Sequence, residues 1–264
     1  MSSSDSYKQR FGGIARLYGT HSIEIFQQAH VAVIGIGGVG SWAVEALARS
    51  GIGRITMIDH DDISITNSNR QIHTLDSTFE QSKVETMAKR IAEINPDCEI
   101  NAIDDLLTHN NCPKYFSESY DYVIDAIDSV KHKCALIYYC KRNKIPIITT
   151  GGAGGLIDPT QIEIVDLSKT YNDPLAAKVR SQLRHQYNFS RNPKSRFGVE
   201  CVYSTEQQMY PQGDGTVGPS KPGVKGATLD CNSGYGSSSC VTASFGFAAA
   251  ARVMTKILAK QAKK

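Results

Sequence analysis

None of the seven cysteines forms a C-x-x-C pair, and their number is odd: Cys98, Cys112, Cys134, Cys140, Cys201, Cys231 and Cys240. This spacing argues against a disulfide framework and against a cysteine-held zinc. It reads as reduced thiols in a cytoplasmic protein. The opening MSSSDSYKQR has no apolar run behind it, so no secretory signal is expected. The longest stretch of small apolar residues, Cys240 to Met254, is short for a membrane span and carries Arg252. It is expected as a packed helix, with no membrane partner. The net charge is only +3, which by itself does not mark a nucleic-acid binder. There is no G-x-x-x-x-G-K-[ST], hence no P-loop lysine, and no internal repeat. What is present is 264 residues, 41% of them hydrophobic, enough for one sizeable core.

Strand-like and helix-like segments alternate through the first 151 residues. Strands are expected over 29–35, 54–59, 98–104, 120–128, 145–151 and 161–167. Helices are expected over 38–50, closed by Gly51, over 80–95, stopped by Pro96, and over 131–143. This rhythm predicts an α/β fold: a doubly wound, mostly parallel, Rossmann-like sheet with an elaborated C-terminal half. The chain reads as a single unit, 1–264. Its nucleotide-binding core is placed at 29–167 and a basic, loop-rich, substrate-binding elaboration at 168–239. Within that elaboration 211–239 is Gly/Ser/Pro-rich, and an apolar helix from about Val241 closes the chain.

VAVIGIGGVGSWAVEALARSGIGRITMID carries G-x-G-x-x-G through Gly35, Gly37 and Gly40. Such glycines let the backbone approach a phosphate at a helix N-terminus. Asp59 closes the second strand, where an acid holds a ribose. On these residues alone, an NAD-dependent oxidoreductase is the first reading. The following HDDISITNSNRQIH adds Asn67, Arg70 and Gln71, and Lys83 opens the next helix. A triphosphate needs more positive charge than a dinucleotide, together with a divalent metal. Arg70, Lys83 and a metal on Asp128 supply that set, and together they favour ATP. Taken singly, each is as readily a surface Arg, a solvated helix Lys or a strand-end Asp.

GIGGVGSWAVEALARSGIGRITMIDHDDISITNSNRQIH, with Lys83, INPDCE and DYVIDAIDS, resembles the adenylating enzymes related to ubiquitin activation and sulfur-carrier activation. RFGGIARLYG, TTGGAGGLIDPTQIEI, DPLAAKVRSQLR and LDCNSGYGSSSCVTASFGF extend the likeness to one branch of that family, which dehydrates threonylcarbamoyladenosine beside the tRNA anticodon. The resemblance implies Mg-ATP, with Mg2+ on Asp128, and adenylation of a carboxylate. It places Gly35, Gly37, Gly38 and Gly40 in the phosphate loop and Asp59 on the ribose. Asn67 and Arg70 fall on the phosphates and Lys83 on the leaving pyrophosphate, with Asp61 and Ser129 beside the nucleotide. Arg70, Lys83 and Asp128 are the catalytic candidates. It further implies a homodimer, in which an N-terminal arginine reaches the partner's ATP; the family position holds Gly13 here, leaving Arg10 or Arg16. A monovalent cation, Na+ or K+, is also implied, without assignable ligands.

Residues 168–198 hold seven Lys/Arg against one Asp, more positive charge than the whole chain carries. Lys178, Arg180, Arg184, Arg191, Lys194 and Arg196 are candidates for tRNA phosphates, with Tyr187 or Phe189 stacking on bases. A solvated helix face is the plain alternative. Cys231 is a candidate sulfur acceptor from a cysteine-desulfurase partner, with a packed thiol the favoured alternative. His21, His60, His73 and His109 read as local hydrogen-bonding residues. The rival functions are adenylation of a sulfur-carrier or ubiquitin-like C-terminus, which the absent C-x-x-C pairs oppose; hydride transfer with NAD; and a non-catalytic scaffold.

Overall fold

The computed structural model describes residues 3–220 and 235–262. Two helices, α1 (Ser3–Tyr18) and α2 (Ser22–Gln28), precede the alternating elements. These are β1 (His30–Ile34), α3 (Gly40–Arg49), β2 (Arg54–Asp59), α4 (Lys83–Ile94), β3 (Glu99–Asp104), the one-turn α5 (Cys112–Tyr115), β4 (Tyr122–Asp125), α6 (Val130–Arg142) and β5 (Ile147–Thr150). The second half adds β6 (Ile162–Asp166), α7 (Pro174–Gln186), β7 (Glu200–Ser204), a two-strand ribbon of β8 (Tyr210–Pro211) and β9 (Val217–Gly218), and α8 (Ser239–Gln261). Among the described residues the main sheet has seven strands in the order β3-β2-β1-β4-β5-β7-β6. All its ladders are parallel except β6 with β7.

The central strand shows why the fold is doubly wound. Every residue of HVAVI is buried, as a strand covered on both faces requires. Successive side chains alternate between faces. Val31 and Val33 join one core with α3, α4 and α8, while Ala32 and Ile34 join another with α6 and α7. A third, small cluster seats α1 on α2 through Tyr7, Phe11 and Ile23, and the Tyr7 hydroxyl donates to the Gly51 carbonyl. Gly51, just past α3, has φ +79, as expected of a glycine closing a helix.

Three elements depart from the sequence reading. The helix expected from residue 80 begins at Lys83, because Glu80 turns back at φ +64 before the helix can start. Strand β7 was not expected, yet it enters the sheet between β5 and β6. The expected loop 211–239 contains one strand of the short ribbon and part of the other flanks it, while 221–234, including Cys231, lie outside the described residues. By length and composition α8 is apolar enough to cross a membrane, but 56% of its apolar stretch is buried, largely against α3, α2 and the sheet.

Candidate active site

The carboxyl ends of β1, β2, β4 and β5 open onto a cavity of about 520 Å³. Gly35 leaves β1 at φ +86, and a Cβ there would lie 2.9 Å from the Ala126 carbonyl oxygen. At Gly40 a Cβ would lie 1.8 Å from the Gly35 carbonyl oxygen. So β1, β4 and the start of α3 converge more closely than any side chain permits. Gly40 supports the turn from beneath, while Gly35, Gly37 and Gly38 line the cavity. The start of α3 presents the positive end of the helix dipole to an anion there.

Asp59, at the end of β2, accepts the Ile36 N–H at 2.5 Å and the Asp61 N–H at 2.9 Å. It ties the glycine turn to the segment after β2. That segment makes a one-turn 3-10 helix over Ile65–Asn67, in which the Asn67 side-chain oxygen accepts the Ser64 N–H. Arg70 is buried, with its stem over Gly38. Its guanidinium donates to the Thr66 carbonyl at 2.8 Å and to Asn69 Oδ1 at 3.0 Å. Both acceptors are neutral, so its positive charge is uncompensated by them. Lys83 is also buried, and its Nζ donates to Asp61 Oδ2 at 2.7 Å. Asn67, Arg70, Lys83, Asp59 and Asp61 all line the cavity, as do Asp128 and Ser129 between β4 and α6. Neither Arg10 nor Arg16 lines it; Arg10 donates instead to the Ile94 carbonyl at the end of α4.

Two sets of acids are open to a metal. Donor atoms of Asp59, His60 and Asp61 lie within 4.8 Å of one another. Asp59 is already committed to two backbone N–H groups, and Asp61 to Lys83. Asp128 is exposed at the cavity rim. A carboxylate so placed fits Mg2+, which takes one or two carboxylates and fills its remaining positions with phosphate and water oxygens.

Several supporting residues were not singled out in the sequence. Asp125 is fully buried and pairs with Lys133 at 2.9 Å, while Lys133 also donates to Thr149 Oγ1 at 3.0 Å. Asp125 Oδ1 accepts the Ile127 N–H, fixing the loop that carries Asp128. Gln71, noted in the sequence beside Asn67 and Arg70, lines the cavity next to Gly37, and its buried side-chain oxygen has no partner among the described residues. A buried acceptor left unspent is suited to a ligand. The second half contributes Thr150 to Gly154, Leu175, Tyr235, Ser237 and Thr242 to the lining. Its glycine-rich turn was legible as a turn, but its approach to β1 depends on the sheet order.

The basic segment begins at this cavity. Asp173 caps α7 by accepting the Ala176 N–H at 2.8 Å and also accepts the Gly152 N–H at 3.0 Å. Burial raises its pKa. Lys178, Arg191, Lys194 and Arg196 are exposed. Arg180 is half-buried and donates to the Thr170 hydroxyl, and Arg184 lies over the Phe197 ring. Tyr187 and Phe189, expected to stack on bases, turn inward: Tyr187 packs on Tyr138 at 4.8 Å and Phe189 on Phe197 at 5.0 Å. Burial of apolar ring faces in the second core explains the difference. Burial pushes the thiols of Cys98 and Cys134 up to about 12 and that of Cys112 to about 11; Cys112 and Cys134 are fully buried packed groups, and Cys98 is half-buried.

A parallel sheet, a glycine turn at its switch point and a cavity lined by Arg70 and Lys83 together define a nucleotide-binding α/β protein. The chain belongs to the ThiF family, whose model matches residues 13–264. It is 55% identical over 261 residues to the tRNA threonylcarbamoyladenosine dehydratase of Escherichia coli K12, covering 98% of this chain and 97% of that one. It is 44% identical over 191 residues to the Bacillus subtilis dehydratase, covering 72% of each. The crystal structure of the E. coli tRNA N6-threonylcarbamoyladenosine dehydratase in complex with ATP superposes over the full length of both chains, with a TM-score of 0.89 and 50% identity.

Proposed function

We propose that this chain is an ATP-dependent dehydratase that cyclises threonylcarbamoyladenosine beside the tRNA anticodon, working as a cytoplasmic homodimer. The carrying observation is the cavity that gathers the glycine turn, Asn67, Arg70, Lys83 and Asp128 at one sheet edge. The full-length likeness to a dehydratase solved with ATP supports the same reading.

The substrate carboxylate is a poor electrophile because its oxygen leaves poorly. Attack of that oxygen on the α-phosphorus forms an acyl-adenylate as the bond to pyrophosphate breaks. The carbamoyl oxygen then attacks the activated carbonyl carbon. A five-membered ring closes, AMP departs with the C–O electron pair, and a carbamoyl nitrogen releases one proton. The net change is loss of water. In this scheme Arg70 and Lys83 stabilise charge developing on the phosphates, and Asp59 fixes the turn against which the nucleotide lies. Mg2+, held at Asp128, supplies further neutralisation of phosphate charge. Lys178, Arg180, Arg184, Arg191, Lys194 and Arg196 take the tRNA backbone. One of Arg10 and Arg16 serves the partner's ATP. No step requires a covalent thiol, so Cys231 and a desulfurase partner stand outside the reaction.

The test is mass spectrometry of nucleosides from tRNA carrying the modified base, incubated with protein and Mg-ATP at mild pH. Loss of one water with AMP and pyrophosphate is the expected result. ADP in place of AMP keeps the dehydratase but replaces the acyl-adenylate with an acyl-phosphate. No mass change shifts the substrate to a protein carboxylate, as in the sulfur-carrier activators.

A further inference from the structure

A second cavity, larger than the nucleotide site, is a groove of about 840 Å³ at the opposite, amino edge of the sheet. Strand β5 spans the two openings, with Thr150 at the nucleotide cavity and Ile147 at the groove. Five cations line the groove: Lys141, Lys144, Lys169, Arg196 and Lys256. Its two acids are already satisfied. Asp166 accepts the N–H groups of Ser168, Phe197 and Gly198, and these hydrogen bonds hold its carboxyl below the usual range despite burial. Glu200 is held by Arg252 at 2.5 Å and Lys256 at 3.2 Å. Lys141 and Lys169 donate to the carbonyls of Gly198 and Pro193, contacts that neutralise neither charge.

The basic segment joins the two openings. It leaves the nucleotide cavity at Asp173 and Leu175, runs along α7 for about 20 Å at 1.5 Å per residue, and re-enters the groove at Arg196 and Gly198. Exposed Lys178 and half-buried Arg180 and Arg184 lie between. A polyanion anchored by one nucleotide in the carboxyl-edge cavity therefore meets basic side chains of this segment between that cavity and the amino edge.

We propose that the amino-edge groove is a second docking site for the phosphate backbone of the tRNA substrate, separate from the site that acts on its modified base. This rests on the tRNA reading above. A second copy of the chain is disfavoured as the occupant, since two such grooves facing each other would oppose like charges.

The experiment measures binding of tRNA carrying threonylcarbamoyladenosine to the full-length protein across a salt series. The variants are K141A/K144A, K144E alone, and K89E on α4 as a control. Lys89 is exposed on a helix that packs on the opposite face of the sheet. K144E spares the Lys141 contact to Gly198. The groove variants are expected to weaken tRNA binding roughly tenfold and to flatten the slope of log K against log salt by about 0.7–0.9 per phosphate lost. ATP binding should hold, and K89E should behave as wild type. Unchanged affinity and slope in K141A/K144A and K144E overturn the proposal. So does a loss confined to self-association in sedimentation, which makes the groove an interface between copies. If wild-type protein fails to bind the tRNA, the parent reading falls and the groove with it.

Discussion

Lys83 and His73 show how one buried segment sets both charge and stability. Lys83 is buried at the cavity and held by a single acid, Asp61, itself about half-exposed. A triphosphate competes with Asp61 for that ammonium. Lys83→Met is expected to lower kcat by about 10²–10³, the scale for loss of one preorganised charge contact, while tRNA binding changes little. Steady-state rates and filter binding on the same preparation check this; equal losses in both would make Lys83 a structural residue. His73 is buried, and neither ring nitrogen has a partner among the described residues. Desolvation, reinforced by the charges of Lys83 and Arg90, lowers its pKa to about 3 from the ordinary 6.5. As pH falls below 6.5 the unfolded chain takes up a proton that the folded chain refuses, so stability is lost on acidification. Near pH 5.5 the loss from this residue is between about 1 and 2 kcal/mol. His73→Leu should reduce the drop in urea midpoint between pH 7 and 5.5; an undiminished drop would assign the acid sensitivity to other groups.

Asp173 belongs to the scale of elements, because it joins a helix to a turn. One oxygen caps α7 and the other holds Gly152 at the nucleotide cavity. A Cβ at Gly151 would lie 1.8 Å from its Oδ2, so the turn and the acid are built around each other. Asp173→Asn can keep the cap but meets the Gly152 N–H with an amide donor. Asp173→Ala loses both contacts, and loss of a cap alone costs about 1 kcal/mol. Denaturation midpoints should therefore fall from wild type to the Asn variant to the Ala variant. The reverse order for the two variants would mean that the amide turned against the Gly152 N–H costs more than the retained cap returns. This joint also marks where the sequence stops being informative. Strand β2, with its acidic end, and helix α3, with its closing glycine, follow from local periodicity and punctuation. Strand β7 does not: ECVYS is five residues long, and its place between β5 and β6 is a long-range pairing without a local signal. For the same reason Gly35, Asp59 and Arg70 were recognisable as site candidates, whereas the contribution of Thr150 to Gly154 needed the fold. The Lys133–Asp125 pair was hidden because nothing in DAIDSVKHK tells an exposed lysine from one bonded beneath a loop.

At the scale of the whole molecule, the last helix completes a site begun in the first quarter of the chain. The Ser239 N–H donates to the Asn69 carbonyl, the Asn69 side chain donates to the Ser237 carbonyl, and the Thr242 hydroxyl donates to the carbonyl of Arg70. One turn further along, α8 crosses α3 at Gly246, where a Cβ would lie 2.5 Å from the Val39 carbonyl oxygen and 2.8 Å from the Ala43 nitrogen. Val39 immediately precedes α3 and lines the nucleotide cavity. Gly246→Val therefore pushes on the phosphate turn as well as on the core. Such overpacking costs about 1–3 kcal/mol. Because the strain falls at the turn, the variant should also lose part of the rise in Tm that ligand binding gives the folded state. Lys260→Ala removes a surface pair with Asp121 at 3.6 Å on the same helix and should leave both quantities nearly unchanged. Thermal denaturation of both variants with and without Mg-ATP separates the effects. A lower Tm with an intact ATP-dependent rise in Gly246→Val would show that α8 supports the core without shaping the turn. A diminished rise would make the C-terminal helix part of the nucleotide site, although its backbone enters the chain some two hundred residues after the glycine motif.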